Sequence, residues 1–350
     1  ALLSTTAHAY WLMGIEDMIT RQRIDPIVSP GEVSGHVHGV VGGSNFGFTT
    51  NTSYLRDSEC TSIPVAEDHS NYWFPALYFH WANGSFTSVD GDYLFDTSIN
   101  TTAFPADFRM ISGDPELRSY NASSYAQQAV TFLCLDFDGT SIRYNRLPAT
   151  SCPDGVRAQI NFPMCWDGVH TDSADHESHV AFPSGGPDSS TCDDPDYPVT
   201  IPRIFMEVYW GTNTFSDNWS DAMNSSQPFV FSYGDSTGYG YHADFIMGWD
   251  DGVLQDAVDN CDCDEYGDPT CCADAGIFTL KDSGDVCYIT NSVDEQTTGT
   301  LDKLPGDNPV TGDGADAEML TDSSTPAIIA PVYAYTGSTP TATGTIIEAA

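Results

Sequence analysis

Five of the nine histidines lie in three short polar clusters that are far apart in the chain. The clusters are residues 34–38 with His36 and His38, residues 172–179 with His176 and His179, and residues 238–244 with His242. Imidazole is a common protein group for binding transition metals and for moving protons near neutral pH. If the fold brings the three clusters together, they form a pocket suited to either task.

In the first cluster, a single valine separates His36 from His38, and glycines lie on both sides. On a strand this spacing places both imidazoles on one face, as in many metal sites built on β-scaffolds. The alternative is that both rings hydrogen-bond to the backbone of a loop.

The second cluster carries acids among its histidines. Its spacing is not that of the HExxH motif of zinc proteases, but His176 and His179 would meet on one helical turn. Asp172, Asp175 and Glu177 would orient an imidazole or act as a general acid or base. The alternative is a solvated acidic loop.

In the third cluster, His242 follows two glycines that allow a close backbone approach, and it stands beside two tyrosines. Aromatic rings beside a histidine would suit a subsite that stacks on sugars. The alternative is a turn that leads into a core strand. The candidate catalytic residues are His36, His38, Asp175, His176, His179, His242 and Asp244, and the candidate metal ligands are the five histidines among them.

Other polar residues receive a structural interpretation. With only 11 basic residues in the chain, Arg23 and Arg109 are each expected to pair with a carboxylate. Asp25, Asp114 and Asp235 lie beside glycine or proline, where aspartate usually stabilises a turn.

The charge of the chain is strongly negative. Fifty acidic residues against 11 basic ones give a formal net charge of −39. Such a surface repels nucleic acids and anionic membranes and attracts divalent cations. The acids Asp262, Asp264, Glu265 and Asp268 would suit calcium, but they lack the EF-hand spacing, and a disulfide-bonded loop is favoured. A divalent metal, either calcium or a histidine-bound transition metal, is the one cofactor that the sequence indicates.

The ten cysteines are even in number and show no paired CxxC zinc motif, which favours disulfides. Four of them crowd one acidic loop, where the adjacent Cys271 and Cys272 are expected to bond to different partners. The predicted disulfide residues are Cys60, Cys134, Cys152, Cys165, Cys192, Cys261, Cys263, Cys271, Cys272 and Cys287.

Six N-glycosylation sequons accompany the cysteines and predict a secreted glycoprotein that is extracellular or associated with a cell wall. The sequon residues are Asn51, Asn83, Asn100, Asn121, Asn218 and Asn224. No apolar stretch approaches the eighteen or so residues of a membrane span. The start of the chain has no basic leader segment, as expected of a mature form whose signal peptide has been removed.

The fold predicted from the sequence is mainly β, with a β-sandwich or jelly-roll-like core, long disulfide-bonded loops and few short helices. Short helices are predicted near residues 124–129 and 251–260. The predicted strands are short apolar and aromatic runs separated by turn residues, at 72–80, 130–137, 158–162, 201–210 and 228–233.

Composition divides the chain into a single β-rich domain, residues 1–290, and a tail, residues 291–350, that is rich in Ser, Thr, Pro and Gly. Such a tail is typical of a linker or an O-glycosylated stalk. Two apolar segments within it, residues 327–335 and 345–347, have the composition of strands. We therefore expect the tail to be ordered by packing on its own domain or by adding a strand to a neighbouring molecule.

Several motifs, in order along residues 10–280, resemble a family of secreted, mostly fungal proteins. The motifs are RIDPIVSPG (23–31), HVH (36–38), GGSNF (42–46), YWFPALY (72–78), FRM (108–110), GD (113–114), CWDG (165–168), DHESHVAFP (175–183) and GDSTGYGYH (234–242). The family is the domain of unknown function nineteen-ninety-six (DUF1996), often found beside sugar-binding WSC modules. The resemblance implies secretion, one integral domain and a carbohydrate-rich setting. This chain differs from the family pattern in lacking a cysteine near Gly14 and a WSC module.

Two functions are compatible with these features. The first is a structural glycoprotein of an extracellular matrix, wall or fibre, coated with N- and O-glycans, that self-associates through its terminal segments by β-strand addition. The second is a carbohydrate-active enzyme, hydrolytic or metal-dependent, that acts on cell-wall polysaccharide with a His/Asp pocket.

Overall fold

A computed structural model describes residues 10–347 except 99–100, 189–190, 262, 265, 316 and 318–324. The first strands are β1 (Tyr10–Ile15), β2 (Thr20–Gln22), β3 (His38–Gly42), β4 (Asn71–Pro75), β5 (Leu77–His80), β6 (Phe86–Ser88), β7 (Gly91–Ser98), β8 (Arg109–Ser112), β9 (Val130–Cys134), β10 (Ile142–Tyr144) and β11 (Val156–Asn161). They are followed by β12 (Cys165–Trp166), β13 (Val180–Ala181), β14 (Val199–Thr200), β15 (Ile204–Trp210), β16 (Phe229–Phe231), β17 (Ala243–Ile246), β18 (Tyr288–Ile289), β19 (Thr300–Leu301), β20 (Ile328–Ala330), β21 (Ala334–Tyr335) and β22 (Thr345–Ile347).

The helices are short. They are α1 (Thr52–Arg56), α2 (Tyr125–Gln128), α3 (Val253–Asn260) and α4 (Thr270–Asp274), together with a 3₁₀ segment, Thr212–Asp221. The second and third confirm the helices predicted near residues 124–129 and 251–260. Helix α2 begins where the Ser124 hydroxyl accepts a hydrogen bond from the Gln127 N–H, a common N-cap arrangement. No helix of the described residues is long and apolar enough to cross a membrane.

The core lies between antiparallel sheets. The largest sheet has the order β1-β7-β15-β11-β9-β10, and the second has the order β2-β3-β4-β17-β8. A four-stranded sheet, β16-β5-β6-β19, and three smaller sheets complete the fold. Phe74 of the second sheet meets Trp210 of the first edge-to-face, with ring centroids 6.1 Å apart. Burial of each such aromatic side chain stabilises the fold by about 1.5–3 kcal/mol. The antiparallel sheets confirm the predicted mainly β fold class.

Five disulfides cross-link the chain, and they confirm the prediction that all ten cysteines form disulfides. They are Cys60–Cys287, Cys134–Cys152, Cys165–Cys192, Cys261–Cys272 and Cys263–Cys271. The adjacent Cys271 and Cys272 do bond to different partners, as expected from their position in one short loop.

The fold continues past residue 290. The Gln22 side chain accepts hydrogen bonds from the Ser292 and Val293 N–H groups, and Leu301 and Leu304 are buried in the core. Strands form where the apolar composition of the tail predicted them. Strand β21 pairs with β18, and β22 pairs with β20, so these tail segments pack within their own chain.

Candidate functional site

The second sheet brings the first and third histidine clusters to one end. Strands β3 and β17 are both antiparallel to β4, so they run parallel to each other and begin at the same end of the sheet. His38 opens β3, and His242 immediately precedes β17. The register places His38 opposite Pro75 of β4, and Asp244 opposite Trp73, so His242 lies level with His38.

Three imidazoles meet at this end. One ring nitrogen from each of His36, His38 and His242 lies within 4.8 Å of the other two. The His36 and His38 rings have centroids 4.2 Å apart, and His36 Nε2 lies 3.0 Å from His242 Nε2. All three residues are at least 95% buried. Val37 is also buried, and its carbonyl accepts hydrogen bonds from the Ala76 N–H and the Ser232 hydroxyl, which fixes the segment between the first two histidines.

Backbone carbonyls hold two of these rings. His38 Nδ1 lies 3.0 Å from the Ile24 carbonyl oxygen, and His242 Nδ1 lies 2.9 Å from the Gly240 carbonyl oxygen. Because a carbonyl only accepts, each Nδ1 carries the proton and each Nε2 presents a lone pair. His38 Nε2 and His36 Nδ1 have no hydrogen-bond partner among the described residues.

Burial keeps these histidines neutral. It lowers the pKa of His38 to about 3 and the pKa of His242 to about 4, the latter with a contribution from repulsion by His38. It also lowers the pKa of His36 well below its usual range. Neutral imidazoles retain the lone pairs that a metal or a proton donor would need.

Two buried carboxyl groups accompany the three histidines: Asp25 interacts electrostatically with His242, and Asp244 lies two residues beyond His242 in the chain. Asp25 accepts hydrogen bonds from the Ile27 and Val28 N–H groups through Oδ1, and its charge raises the pKa of His242. Asp244 is 1% exposed. Burial raises the pKa of its carboxyl well above the usual range, and repulsion by Asp25 and Glu177 adds to this shift.

A buried carboxylate supports the turn before His242. Asp235 accepts hydrogen bonds from the Thr237 N–H and hydroxyl through Oδ1, and from the Gly240 N–H through Oδ2. The carbonyl of that same Gly240 holds the His242 ring. Asp235 therefore positions His242 through the backbone of the turn.

The second histidine cluster forms a loop of its own. It is a series of turns, with a positive φ of 59° at His176, so the expected helical turn between His176 and His179 does not form. His176 Nδ1 lies 2.7 Å from Asp172, and His179 lies between the Ser173 hydroxyl and the Arg109 carbonyl. These two rings do not join the group of three.

A cleft of about 420 Å³ lies next to His242, one of the three histidines. Its wall includes Gly113, which directly follows β8 and has a φ of +85°. A Cβ atom at this position would lie 2.7 Å from His242 Cα and 2.3 Å from the Tyr241 carbonyl oxygen. Only the absence of a side chain at Gly113 therefore allows the cleft wall to pack on His242.

Three acids and two aromatic residues line the cleft: Asp114, Asp175, Glu177, Phe182 and Tyr239. Asp175 Oδ1 accepts hydrogen bonds from the Ser178 N–H at 2.9 Å, the Ser173 hydroxyl at 2.7 Å and the Glu177 N–H at 3.2 Å. These bonds, with that from Ser178 the largest, hold the pKa of Asp175 well below its usual range.

The pKa of Glu177 is shifted in the opposite direction. Its carboxyl is reachable by solvent but lies in a concave wall, and partial desolvation raises its pKa to about 7, with further contributions from the charges of Asp114 and Asp175. At neutral pH, Asp175 is thus ionised, whereas Glu177 still carries a proton in part of the molecules. Such divergent environments typically separate the acid from the base in a catalytic pair.

A family model described as a domain of unknown function, DUF1996, matches residues 25–249. The chain belongs to the DUF1996 family. The match includes all three histidine clusters and confirms the resemblance read from the motifs. No curated protein and no solved structure matches the chain.

Several polar residues for which the sequence predicts a structural or calcium-binding role have partners in the structure. Arg23 forms an ion pair with Glu295, with Nε 2.9 Å from the carboxylate, and Arg109 faces Asp172 at 3.7 Å. In the acidic loop, Asp264 Oδ1 accepts hydrogen bonds from two backbone N–H groups. Asp262 and Glu265, two of the acids considered for calcium, lie outside the described residues.

The sequence around Asp114 predicts a turn residue and not a member of the site. Asp114 does cap a turn by accepting the Glu116 N–H at 2.9 Å, yet it also faces the cleft. Its position directly after Gly113, where a strand ends, was the available signal. Of the two tyrosines considered for sugar stacking, Tyr239 lines the cleft and Tyr241 is fully buried.

The sequons are mostly accessible. Asn51, Asn83, Asn121 and Asn224 are exposed, Asn218 is half-buried, and Asn100 lies outside the described residues. Glycosylation at these positions stays a prediction.

Proposed function

We propose that this DUF1996 domain is a secreted carbohydrate-active hydrolase whose active site is the acidic cleft. The observation that carries this proposal is the arrangement of Asp175 and Glu177 in the cleft wall, beside the aromatic residues Phe182 and Tyr239. The volume of about 420 Å³ falls in the range of roughly 300–1,000 Å³ that is usual for small-molecule sites.

Glycoside hydrolysis needs one carboxylic acid and one carboxylate. Glu177 would donate its proton to the glycosidic oxygen as the bond from that oxygen to the anomeric carbon breaks. A water molecule adds to the anomeric carbon, and Asp175 accepts a proton from that water. The products are two shorter saccharides, one with a new reducing end, and proton transfer through solvent restores both carboxyl groups.

The aromatic residues give the cleft a means of holding a sugar. Tyr239 and Phe182 both contribute to its wall, and pyranose rings pack their C–H faces on such side chains. Arg146 lies over the Tyr239 ring with its guanidinium carbon 5.4 Å from the centroid, which restrains the ring. A neutral polysaccharide also avoids the repulsion that the net charge of −39 imposes on anionic substrates.

Secretion is part of the proposal. Five disulfides in one chain are typical of proteins that fold in an oxidising compartment. The sequons and the scarcity of lysine and arginine point the same way. Proteins that are secreted or associated with a cell wall are surrounded by polysaccharide, which would be the available substrate.

The test is the release of reducing ends from a panel of cell-wall glucans, mannans, chitin and xylans. We expect the wild-type protein to act on one class and Glu177→Gln to lower kcat by about 10²–10⁴-fold. Glu59→Gln is the matched control, because Glu59 is an exposed glutamate that lines a separate cavity. A wild-type protein inactive on every class, or equal activities of wild type and Glu177→Gln, would refute the proposal.

A second function is favoured by the tail. Strand β22 lies at the edge of a two-stranded sheet, and its other edge pairs with none of the described residues. Ile346 and Ile347 on this strand are 57% and 47% exposed. Open apolar edge strands accept strands from other molecules. We therefore also propose that the chain self-associates through β22 as a structural component of a matrix, wall or fibre.

Sedimentation velocity over a range of concentrations tests this second function. We expect the wild-type chain to self-associate and the double variant Ile346→Lys, Ile347→Lys to sediment as a monomer. Val169→Lys is the control, because Val169 is an apolar residue that is 73% exposed elsewhere on the surface. A monomeric wild-type chain at all concentrations would exclude β22 as an assembly element.

A further inference from the structure

We infer that His36, His38 and His242 bind one divalent transition-metal ion through their ring nitrogens. The inference is independent of the proposed hydrolase, because it stands on three side chains that the cleft chemistry does not use. It narrows the five histidines singled out in the sequence to the three that the fold brings together.

The rings have the orientation that a metal site requires. Histidines that bind metals usually donate their second ring N–H to a carbonyl or a carboxylate, which fixes the tautomer. The Ile24 carbonyl does this for His38, and the Gly240 carbonyl does it for His242. Both Nε2 lone pairs are thereby fixed without any metal, and Asp235 stabilises the turn that supplies the Gly240 carbonyl.

The distances are close to those of a metal site. Two nitrogens bound tetrahedrally at about 2.0–2.1 Å from zinc are about 3.3 Å apart. His36 Nε2 and His242 Nε2 are 3.0 Å apart, and all three rings offer a nitrogen within 4.8 Å of the others. To bind one ion, the three ring nitrogens would draw together from separations of up to 4.8 Å.

Hydrogen bonding within the protein leaves this cluster incomplete. If His36 Nε2 donates its proton to His242 Nε2, then His36 Nδ1 and His38 Nε2 are both bare acceptors in the interior. Neither atom has a hydrogen-bond partner among the described residues, although both are buried. Buried polar atoms are rarely left without a partner, and a metal ion is a partner to which imidazole nitrogens donate their lone pairs.

The donor set defines the class of ion. Imidazole nitrogen suits zinc, copper, nickel and iron, whereas calcium and magnesium prefer oxygen ligands. The other group of suitable spacing in the described residues is Cys261, Cys263 and Cys272, whose sulfurs are held in disulfides. Three protein ligands also leave a coordination position for water or another small ligand.

The experiment uses the full chain without a histidine tag. We expect elemental analysis of the secreted protein, or of protein incubated with Zn²⁺ and then dialysed, to give one metal ion per chain. Co²⁺ should give the visible absorption of a site with nitrogen ligands. The thermal midpoint should rise with the concentration of Zn²⁺ and fall again with a chelator.

Variants locate the site. His38→Gln and His242→Gln should weaken Zn²⁺ binding by at least a hundredfold, whereas His170→Gln should not, because His170 is a surface histidine paired with Asp167. Circular dichroism checks that each variant is folded. If a variant does not fold, the stoichiometry and the Co²⁺ spectrum of the wild-type chain decide.

Two results would overturn the inference. One is a wild-type chain that binds neither Zn²⁺ nor Co²⁺ stoichiometrically. The other is a folded His38→Gln, His242→Gln double variant that binds as tightly as the wild type. Neither result depends on catalysis, so failure of the metal site and failure of the hydrolase are distinguishable.

Discussion

His36 Nε2 and His242 Nε2 lie 3.0 Å apart, although the two residues are 206 positions apart in the chain. The contact follows from the order of the second sheet, in which β3 and β17 flank β4 and begin at the same end. The same end of the sheet carries Gly113, which lines the cleft and packs on the backbone of His242. The histidine cluster and the acidic cleft are therefore neighbouring parts of one structure.

The pH dependence of hydrolysis should report on Glu177. Because this carboxyl must be protonated to act as an acid and its pKa is about 7, kcat/KM should fall above about pH 7. The charge of Asp114 contributes to that raised pKa, so Asp114→Asn should move the alkaline limb to lower pH. Initial rates between pH 4 and pH 9 measure both effects. An alkaline limb that does not move in Asp114→Asn would contradict this role of Asp114.

The raised pKa of Glu177 also predicts that the stability of the folded protein depends on pH. The pKa of Glu177 is about 7 in the folded chain, above its ordinary value of 4.5, so ionisation costs the folded state more than the unfolded state. Glu177 therefore destabilises the wild type progressively as the pH rises from about 4.5 to about 7. Glu177→Gln should match the wild-type thermal midpoint at pH 4 and exceed it at pH 8. An equal difference at both pH values would argue against the raised pKa.

Gly113→Ala should destabilise the protein by roughly 2–5 kcal/mol, because the new Cβ is both strained at a positive φ and in collision with the Tyr241 carbonyl. Gly284→Ala is the control, since Gly284 has a φ of +90° but no atom within 4 Å of the added Cβ. Denaturant unfolding of both variants separates the collision from the strain. Equal losses of unfolding free energy in the two variants would show that Gly113 does not pack closely on His242.

The Cys60–Cys287 disulfide should contribute more stability than Cys263–Cys271. The first closes a loop of 227 residues and the second a loop of 8, and loop-closure entropy grows with length. Replacing both cysteines of the first by serine should cost about 2–5 kcal/mol, with a smaller loss for the second. Thermal unfolding under non-reducing conditions measures the two losses. A larger loss for the short loop would mean that local strain or packing dominates.

The sequence predicted much of the fold and part of the site. Strand composition, turn residues and cysteine number were sufficient for the mainly β class and for the disulfides, because these are local or compositional properties. The histidines of the first and third clusters were recognisable by spacing. Their meeting was not derivable, because it depends on β3 and β17 being neighbours of the same strand.

The second cluster shows a different limit. These rings do not point into a shared site. His176 has a positive φ, and the His179 ring hydrogen-bonds to Ser173 and to the Arg109 carbonyl. Such a turn is set by the tertiary contacts of the loop and not by the spacing of its histidines. The cleft itself was also beyond sequence reasoning, since Asp114 and Glu177 approach each other only once β8 and this loop are packed.

The most direct test of the proposed function is a crystal structure of the Glu177→Gln variant with an oligosaccharide of the class that the wild type degrades. We predict a sugar ring against Tyr239 or Phe182 and a glycosidic oxygen within hydrogen-bonding distance of the side chain at position 177. An oligosaccharide bound elsewhere, with the cleft free of sugar, would contradict the assignment of this cleft as the active site.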